Sequence, residues 1–227
     1  MKIEIWSDYA CPYCYIGKER LEKAMNDLGI KDQVNIEMRS FELDPNASYK
    51  VVSSTEDRFA KKYRLSNAMA AERIRQIEQL GKEEGIDFRY STTQYTNTMD
   101  AHRLTHYAEK QGNKTIVEDL FKAYFTDNLE LSDKNALKKI AVKNGLDENE
   151  VEKVLNSNEF ESDVRKDESQ AYSMGIQAVP FFFINGKFTL NGAQNVETFK
   201  NALKEAIQDD IQNNDLSGMS CGIDGCY

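Results

Sequence analysis

Hydrophobic and polar positions alternate at the start of the chain. Ile3 and Ile5 are interleaved with Lys2 and Glu4, and Trp6 follows; this period of two predicts a strand. Ser7-Asp8-Tyr9-Ala10 reads as a loop and leads into Cys11-Pro12-Tyr13-Cys14. Leu21, Ala24, Met25 and Leu28 then recur at helical spacing as far as Gly29, a residue suited to stopping a helix. Pro12 fits the first helical position, where its missing N–H costs nothing. Val34, Ile36 and Met38 alternate with Asn35, Glu37 and Arg39 in a second strand. Phe41 and Leu43 continue it one residue out of phase, which requires a bulge or break near Ser40.

From about Glu56 to Met174 the period is helical. Ala70, Ile74, Ile77 and Leu80 share a face, as do Ala101, Leu104 and Ala108, then Val117, Leu120, Phe121 and Tyr124, then Leu137, Ile140 and Ala141. Asp147 and Glu150 have capping-box spacing ahead of Val151 and Val154, and a last helix of the block is expected from about 159 to 173. Strand character returns at Phe181-Phe182-Phe183-Ile184, and Asn185-Gly186 is a two-residue hairpin signal. Val196, Phe199, Leu203, Ala206 and Ile207 stripe a final helix, and residues 209–227 read as a polar tail.

The order strand, helix, strand, helical block, hairpin, helix lets two βα pieces share one sheet. The block of about 120 residues between them is tolerable if it folds as its own helical subdomain. Lys and Arg number 29 and Asp and Glu 38, giving a net charge of −9, which argues against nucleic-acid and anionic-membrane partners. The N-terminus shows no signal-peptide pattern, and the longest apolar run, Ala178–Ile184, is too short for a bilayer. The expected location is cytoplasmic, where paired cysteines are more often redox-active or metal-binding than structural.

The four cysteines form two pairs, Cys11/Cys14 and Cys221/Cys226. The first puts two thiols one turn apart where a strand gives way to a helix. At a helix N-terminus, free N–H groups and the dipole favour a thiolate, the attacking species in disulfide exchange. Cys11 is therefore expected to form the mixed disulfide with a substrate, and Cys14, a turn further in, to resolve it. Asp8 opposes the Cys11 thiolate if it faces the sulfur, and serves the loop as a hydrogen-bond acceptor if it does not. Pro180 has no ladder donor and belongs at the start of its strand. His102 and His106 have metal-clamping i, i+4 spacing, but no third ligand is evident nearby, so no metal is assigned to them.

Asp8-x-x-Cys11-Pro12-x-Cys14 after a first strand, a helical insertion, then Val179-Pro180-Phe181 before a hairpin resembles the DsbA-like branch of the thioredoxin superfamily. Cys14-Tyr15-Ile16-Gly17-Lys18, the segment from Asn97 to Leu104, and Cys221/Cys226 are similar to its FrnE-type group. The resemblance implies an α/β fold, a thioredoxin-like domain (1–50 and 176–210) with a large all-helical insertion (51–175) and a flexible tail (211–227). It implies a cis Pro180 beside Cys11, and Val179 offering its backbone to an extended substrate. Tyr13 would lie between the cysteines, where the family tunes its potential. The helix holding Asn97 and His102 would line the cleft, so Tyr13, Asn97 and His102 are expected at the substrate. Cys221 and Cys226 would be an accessory redox pair, exchanging with or shielding the first.

The function expected is protein dithiol–disulfide exchange, with isomerisation possible. The substrates are thiol or disulfide proteins or small molecules. No bound cofactor is needed, since the cysteines carry the electrons; glutathione is a possible reductant. A reducing cytoplasm favours reduction, isomerisation or an oxidative-stress response over bulk disulfide formation. Two rivals stand beside this. Kappa-type glutathione transferases and 2-hydroxychromene-2-carboxylate isomerases share the inserted helices but use a serine at the position of Cys11. A four-cysteine zinc site or thiol buffer is the non-enzymatic alternative. Oligomeric state is not legible.

Overall fold

The structure is a computed structural model and describes residues 1–218. Cys221 and Cys226, and the role expected of them, lie outside the described residues. Strand β1 (Lys2–Ser7) leads into helix α1 (Pro12–Asp27), and β2 (Asn35–Ser40) follows. The inserted helices are α2 (Thr55–Tyr63), α3 (Asn67–Glu83), α4 (Met99–Lys110), α5 (Ile116–Phe125), α6 (Lys134–Lys143), α7 (Glu148–Leu155) and α8 (Glu161–Ser173). The chain then re-enters the sheet through β3 (Phe181–Ile184) and β4 (Phe188–Asn191) and ends its described part in α9 (Val196–Gly218).

The four strands lie in the order β2-β1-β3-β4. β1 runs parallel to β2, pairing Ile3 with Ile36, and antiparallel to β3, pairing Ile3 with Ile184. The β3–β4 hairpin turns through Asn185 and Gly186, whose φ angles of 51° and 66° are the positive values a tight primed turn requires. This is a thioredoxin-like sheet carrying a large helical insertion, as the order of elements implies.

Strand alternation gives the sheet two apolar faces. Ile3, Ile5, Phe182 and Ile184 pack with Leu21 and Met25 of α1 and Phe199 and Leu203 of α9. Trp6 and Phe181 face the other way, and the Trp6 indole N–H donates to the Asp167 carbonyl of α8 at 3.0 Å. That second core runs without a break from Trp6, Tyr9, Ile16 and Phe41 into Ile74, Phe88, Leu104, Leu120 and Phe121 of the insertion. The insertion therefore does not close a core of its own. Its apolar helix stripes find their partner on the sheet and on α1. Ion pairs add to the join: Arg20 and Lys23 of α1 hold Glu84 at 2.7 and 2.6 Å, and Lys18 holds Glu118 at 2.6 Å.

β2 stops at Ser40, the break that the phase shift allows, and Phe41 and Leu43 lie beyond it. Phe41 N–H still donates to the Ser7 carbonyl at 3.1 Å, and the donors beyond it go to side chains: Glu42 N–H to Glu168 Oε1 at 3.0 Å and Leu43 N–H to Asp8 Oδ2 at 2.8 Å. One expected element needs correction: the polar tail expected from residue 209 is helical as far as Gly218. No glycine or proline interrupts 196–217, and the hairpin anchors the polar stretch: Asn185 Nδ2 donates to Asp210 Oδ2 at 2.7 Å, and Lys187 pairs with Asp209.

Candidate active site

Cys11 is the N-cap of α1, with an extended backbone (φ −91°, ψ 113°) and no side-chain capping bond. Pro12 follows at the first helical position, as its chemistry favours. The Cys11 N–H donates to the Asp8 carbonyl at 3.0 Å, and the Cys14 N–H to the Cys11 carbonyl at 3.1 Å. Both thiols are free, and they are 4% and 2% exposed.

The peptide bond Val179–Pro180 is cis. The Val179 carbonyl lies 3.6 Å from Cys11 Sγ, so the segment ahead of β3 meets the first turn of α1. Gly17 lets the two approach: a Cβ there would stand 3.2 Å from both Pro180 Cγ and Phe182 Cζ.

An open cleft of about 1060 Å³ reaches Cys11, Pro12, Tyr13 and Val179 but not Cys14. That difference separates the two sulfurs chemically. Burial raises the Cys14 thiol well above its ordinary value, and contact with the Cys11 sulfur raises it further. The Ser7 hydroxyl and the Asp8 backbone N–H offset part of this by hydrogen bonding to the sulfur. Cys11 faces the cleft at a helix N-terminus, and Cys14 sits behind it, where burial favours its thiol form.

Asp8, whose direction the sequence leaves open, points into the protein. Its Oδ1 accepts the Ala10 N–H at 3.2 Å and its Oδ2 the Leu43 N–H at 2.8 Å. His102 Nε2 stands 3.5 Å from Oδ1. Burial pushes the carboxyl upward, but the His102 ring and the two backbone donors outweigh it and hold it below the usual carboxylate range. Asp8 thus ties the loop after β1 to the loop after β2 and to α4. Tyr9 adds to this: its hydroxyl bonds to Thr105, and its ring packs on His102 and Phe121, centroids 5.1 and 4.9 Å apart.

The expected substrate residues divide. Val179 and Tyr13 line the cleft, Tyr13 half-exposed at its mouth. Asn97 and His102 do not, which corrects the expectation that they touch substrate. Asn97 is buried, its Oδ1 accepting the Met99 N–H at 2.9 Å and its Nδ2 donating to the Pro45 carbonyl at 3.3 Å. His102 lies behind Asp8. Both position loops, Asn97 through the Pro45 carbonyl and His102 through Asp8. His106 turns to another carboxylate, Asp167, at 3.1 Å, and to Ser40 Oγ at 3.1 Å. The two histidines therefore do not converge on one ion. Arg103 of the same motif spans Asp100 at 2.7 Å and the carbonyl of Glu159 at 2.7 Å.

The far wall of the cleft comes from α2, α3 and the segment before α4: Arg58, Phe59, Lys61, Lys62, Tyr63, Arg73, Tyr90 and Tyr95. Sequence reasoning missed these residues. Helical spacing assigns the aromatics to the core and the cations to a solvated face, and no local signal says that this face is turned toward a cysteine more than forty residues away.

Residues 2–204 match the model of the DSBA-like thioredoxin domain. The chain is similar to the uncharacterized protein YwbO of Bacillus subtilis, 27% identical over 207 residues and covering 89% of this chain and 96% of that protein. Among solved structures it is similar to the probable DsbA oxidoreductase SCO1869 from Streptomyces coelicolor. That pair is 32% identical with a TM-score of 0.86, covering 100% of this chain and 94% of the other. A 2-hydroxychromene-2-carboxylate isomerase has the same fold at 19% identity and a TM-score of 0.71, covering 95% and 99%. The match spans both parts of the sheet and the insertion between them, and the chain belongs to the DSBA-like thioredoxin domain family.

Proposed function

We propose that this protein is a cytoplasmic thiol–disulfide oxidoreductase of the FrnE type, exchanging electrons with protein or small-molecule disulfides through Cys11 and Cys14. The observation that carries the reading is the placement of Cys11. It caps a helix N-terminus at the floor of a cleft, with the Val179 carbonyl beside its sulfur and a second thiol one turn behind. In the reducing direction the Cys11 thiolate attacks a substrate disulfide, forming one S–S bond and expelling one substrate thiolate. Cys14 loses its proton to solvent or to that thiolate and attacks the Cys11 sulfur. The second substrate thiol leaves, and Cys11–Cys14 is oxidised by two electrons. An external dithiol, or glutathione, returns the pair to its reduced form, so no bound cofactor takes part. Isomerisation uses the same first step and ends when a substrate thiol, rather than Cys14, displaces Cys11. Cys221 and Cys226 are the accessory pair of this type, and relief of oxidative stress is the role consistent with a reducing compartment.

The test is dithiol-driven insulin reduction without glutathione, abolished in Cys11→Ser. The structural likeness to a 2-hydroxychromene-2-carboxylate isomerase over 95% of the chain favours a second reading, glutathione-dependent isomerisation or transfer. Glutathione-dependent turnover by Cys11→Ser, with no insulin reduction by the parent, would replace the first reading with the second.

A further inference from the structure

The cleft beside Cys11 has the opposite charge to the molecule. The chain carries a net −9, yet Arg58, Lys61, Lys62 and Arg73 line the cleft, with Asp44 as the one carboxylate among its lining residues. Elsewhere basic side chains near the sheet are matched, as Arg39 is to Glu4 and Arg165 to Glu42. Among the described residues none of the four cleft cations forms such a pair. Arg73 Nη1 donates to Gln76 at 3.1 Å, and Lys62 Nζ stands 5.7 Å from the Tyr63 ring centre. Arg58 is the most pointed case. Its guanidinium carbon lies 3.9 Å over the Tyr95 ring, and its Nε and Nη2 are buried with no hydrogen-bond acceptor among the described residues. The carboxylates of its own helix, Glu56 and Asp57, stand two positions and one position before it, where helix geometry turns them to other faces, and Asp57 is engaged by Ser54 and Asn67 at 2.7 and 3.1 Å. A buried donor left without an acceptor is unfavourable, and a fixed guanidinium fork is the group best suited to a carboxylate.

We infer that this cleft selects acidic substrates: an extended protein segment in which carboxylates flank the reacting cysteine. The inference rests on the reading of Cys11 as the exchange nucleophile and names its substrate class. The backbone at Val179 holds such a segment without regard to side chains, and the four cations supply the selection. The cleft is at the upper end of the roughly 300–1,000 Å³ typical of small-molecule sites, which favours a peptide stretch over a tripeptide such as glutathione.

The test uses the full-length reduced protein and matched peptide disulfides with Glu or Lys on either side of the cysteine. The Glu peptide should react about tenfold faster at low salt, with the advantage shrinking as salt rises. In Lys61→Glu/Lys62→Glu the ratio should fall to one or reverse. Equal rates for the two peptides in the parent protein overturn the inference and leave the exchange reading standing. Faster reaction with glutathione disulfide than with the Glu peptide overturns the choice of a peptide. A binding measurement separates the two claims. Cys11→Ser is titrated with fluorescent peptides carrying Ser in place of Cys, read by anisotropy. Tighter binding of the Glu peptide, weakened in Cys11→Ser/Arg58→Met, supports the acidic cleft even if no peptide undergoes exchange. Indifference to charge there overturns it without reference to chemistry.

Discussion

Cys11 and Cys14 are the same residue type three positions apart, and the fold makes them unlike. The cleft reaches one and not the other, and burial raises the thiol of Cys14. Iodoacetamide near neutral pH should therefore modify Cys11 well ahead of Cys14 in the reduced protein, as peptide mass mapping would show; equal labelling would remove the division of roles. Cys14→Ser should accumulate the mixed disulfide at Cys11, visible as a mass adduct that a dithiol releases. Asp8 carries a different prediction. Its carboxyl is held below the ordinary value, so the native state favours the ionised form. That stabilisation is complete above the unfolded pKa of about 3.9 and is lost as pH falls through the lower folded value. Asp8→Asn, which weakens the acceptor for Ala10 and Leu43 and removes the charge facing His102, should lower stability by about 2 kcal/mol near neutral pH. The gap between the two proteins in chemical denaturation should be flat above about pH 5 and narrow below about pH 4. A gap that widens on acidification would contradict the assignment.

At the scale of elements, close approaches decide how the cleft is built. Gly17 lies in α1 where the helix passes Pro180 and Phe182, and a Cβ would sit 3.2 Å from each. Gly17→Ala gains helix propensity of about 1 kcal/mol but pushes on the segment carrying Val179. Its stability should change by less than about 1 kcal/mol, while insulin reduction slows severalfold. Gly81 in α3 is the contrast. A Cβ there would stand 2.5 Å from the Phe88 ring, inside the insertion. Gly81→Ala should cost about 2 kcal/mol through overpacking, seen in denaturant titration, with little effect on exchange in the protein that remains folded. If both variants lose activity only in proportion to stability, the approach of α1 to Pro180 has no part in the chemistry.

For the molecule as a whole, the continuous core from Trp6 and Ile16 through Leu120 and Phe121 means that sheet and insertion stabilise one another. The intact protein should unfold in one cooperative transition, with tryptophan fluorescence and far-UV circular dichroism giving the same midpoint. Residues 51–175 produced alone should be helical but lack a sharp transition, because Tyr15 of α1, which packs on Phe88 and Phe121, and Tyr9, which packs on Phe121, are missing. A cooperative melt of that fragment would show that the two parts fold separately. The electrostatics also belong to this scale: an acidic molecule places four cations, and Asp44 as the one carboxylate among the described lining residues, along the cleft that reaches Cys11.

The sequence by itself determined the elements and the place of the Cys11/Cys14 pair between β1 and α1. Alternation at Ile3 and Ile5, the helical stripes of the insertion, Asn185-Gly186 and Cys11-Pro12-Tyr13-Cys14 are local signals, read within a few residues by backbone geometry and helix-terminus chemistry. Tertiary structure alone decided what meets that pair from elsewhere. It turned Asp8 inward to Leu43 and His102, left Asn97 and His102 out of the cleft lining, and brought Arg58, Tyr90 and Tyr95 to the cleft. It also ended β2 by giving backbone donors to Asp8 and Glu168, and extended α9 by tying Asp210 to the hairpin. Each of these depends on a partner tens of residues away, and the local pattern of hydrophobic and polar positions carries no record of which face of a helix another element will cover.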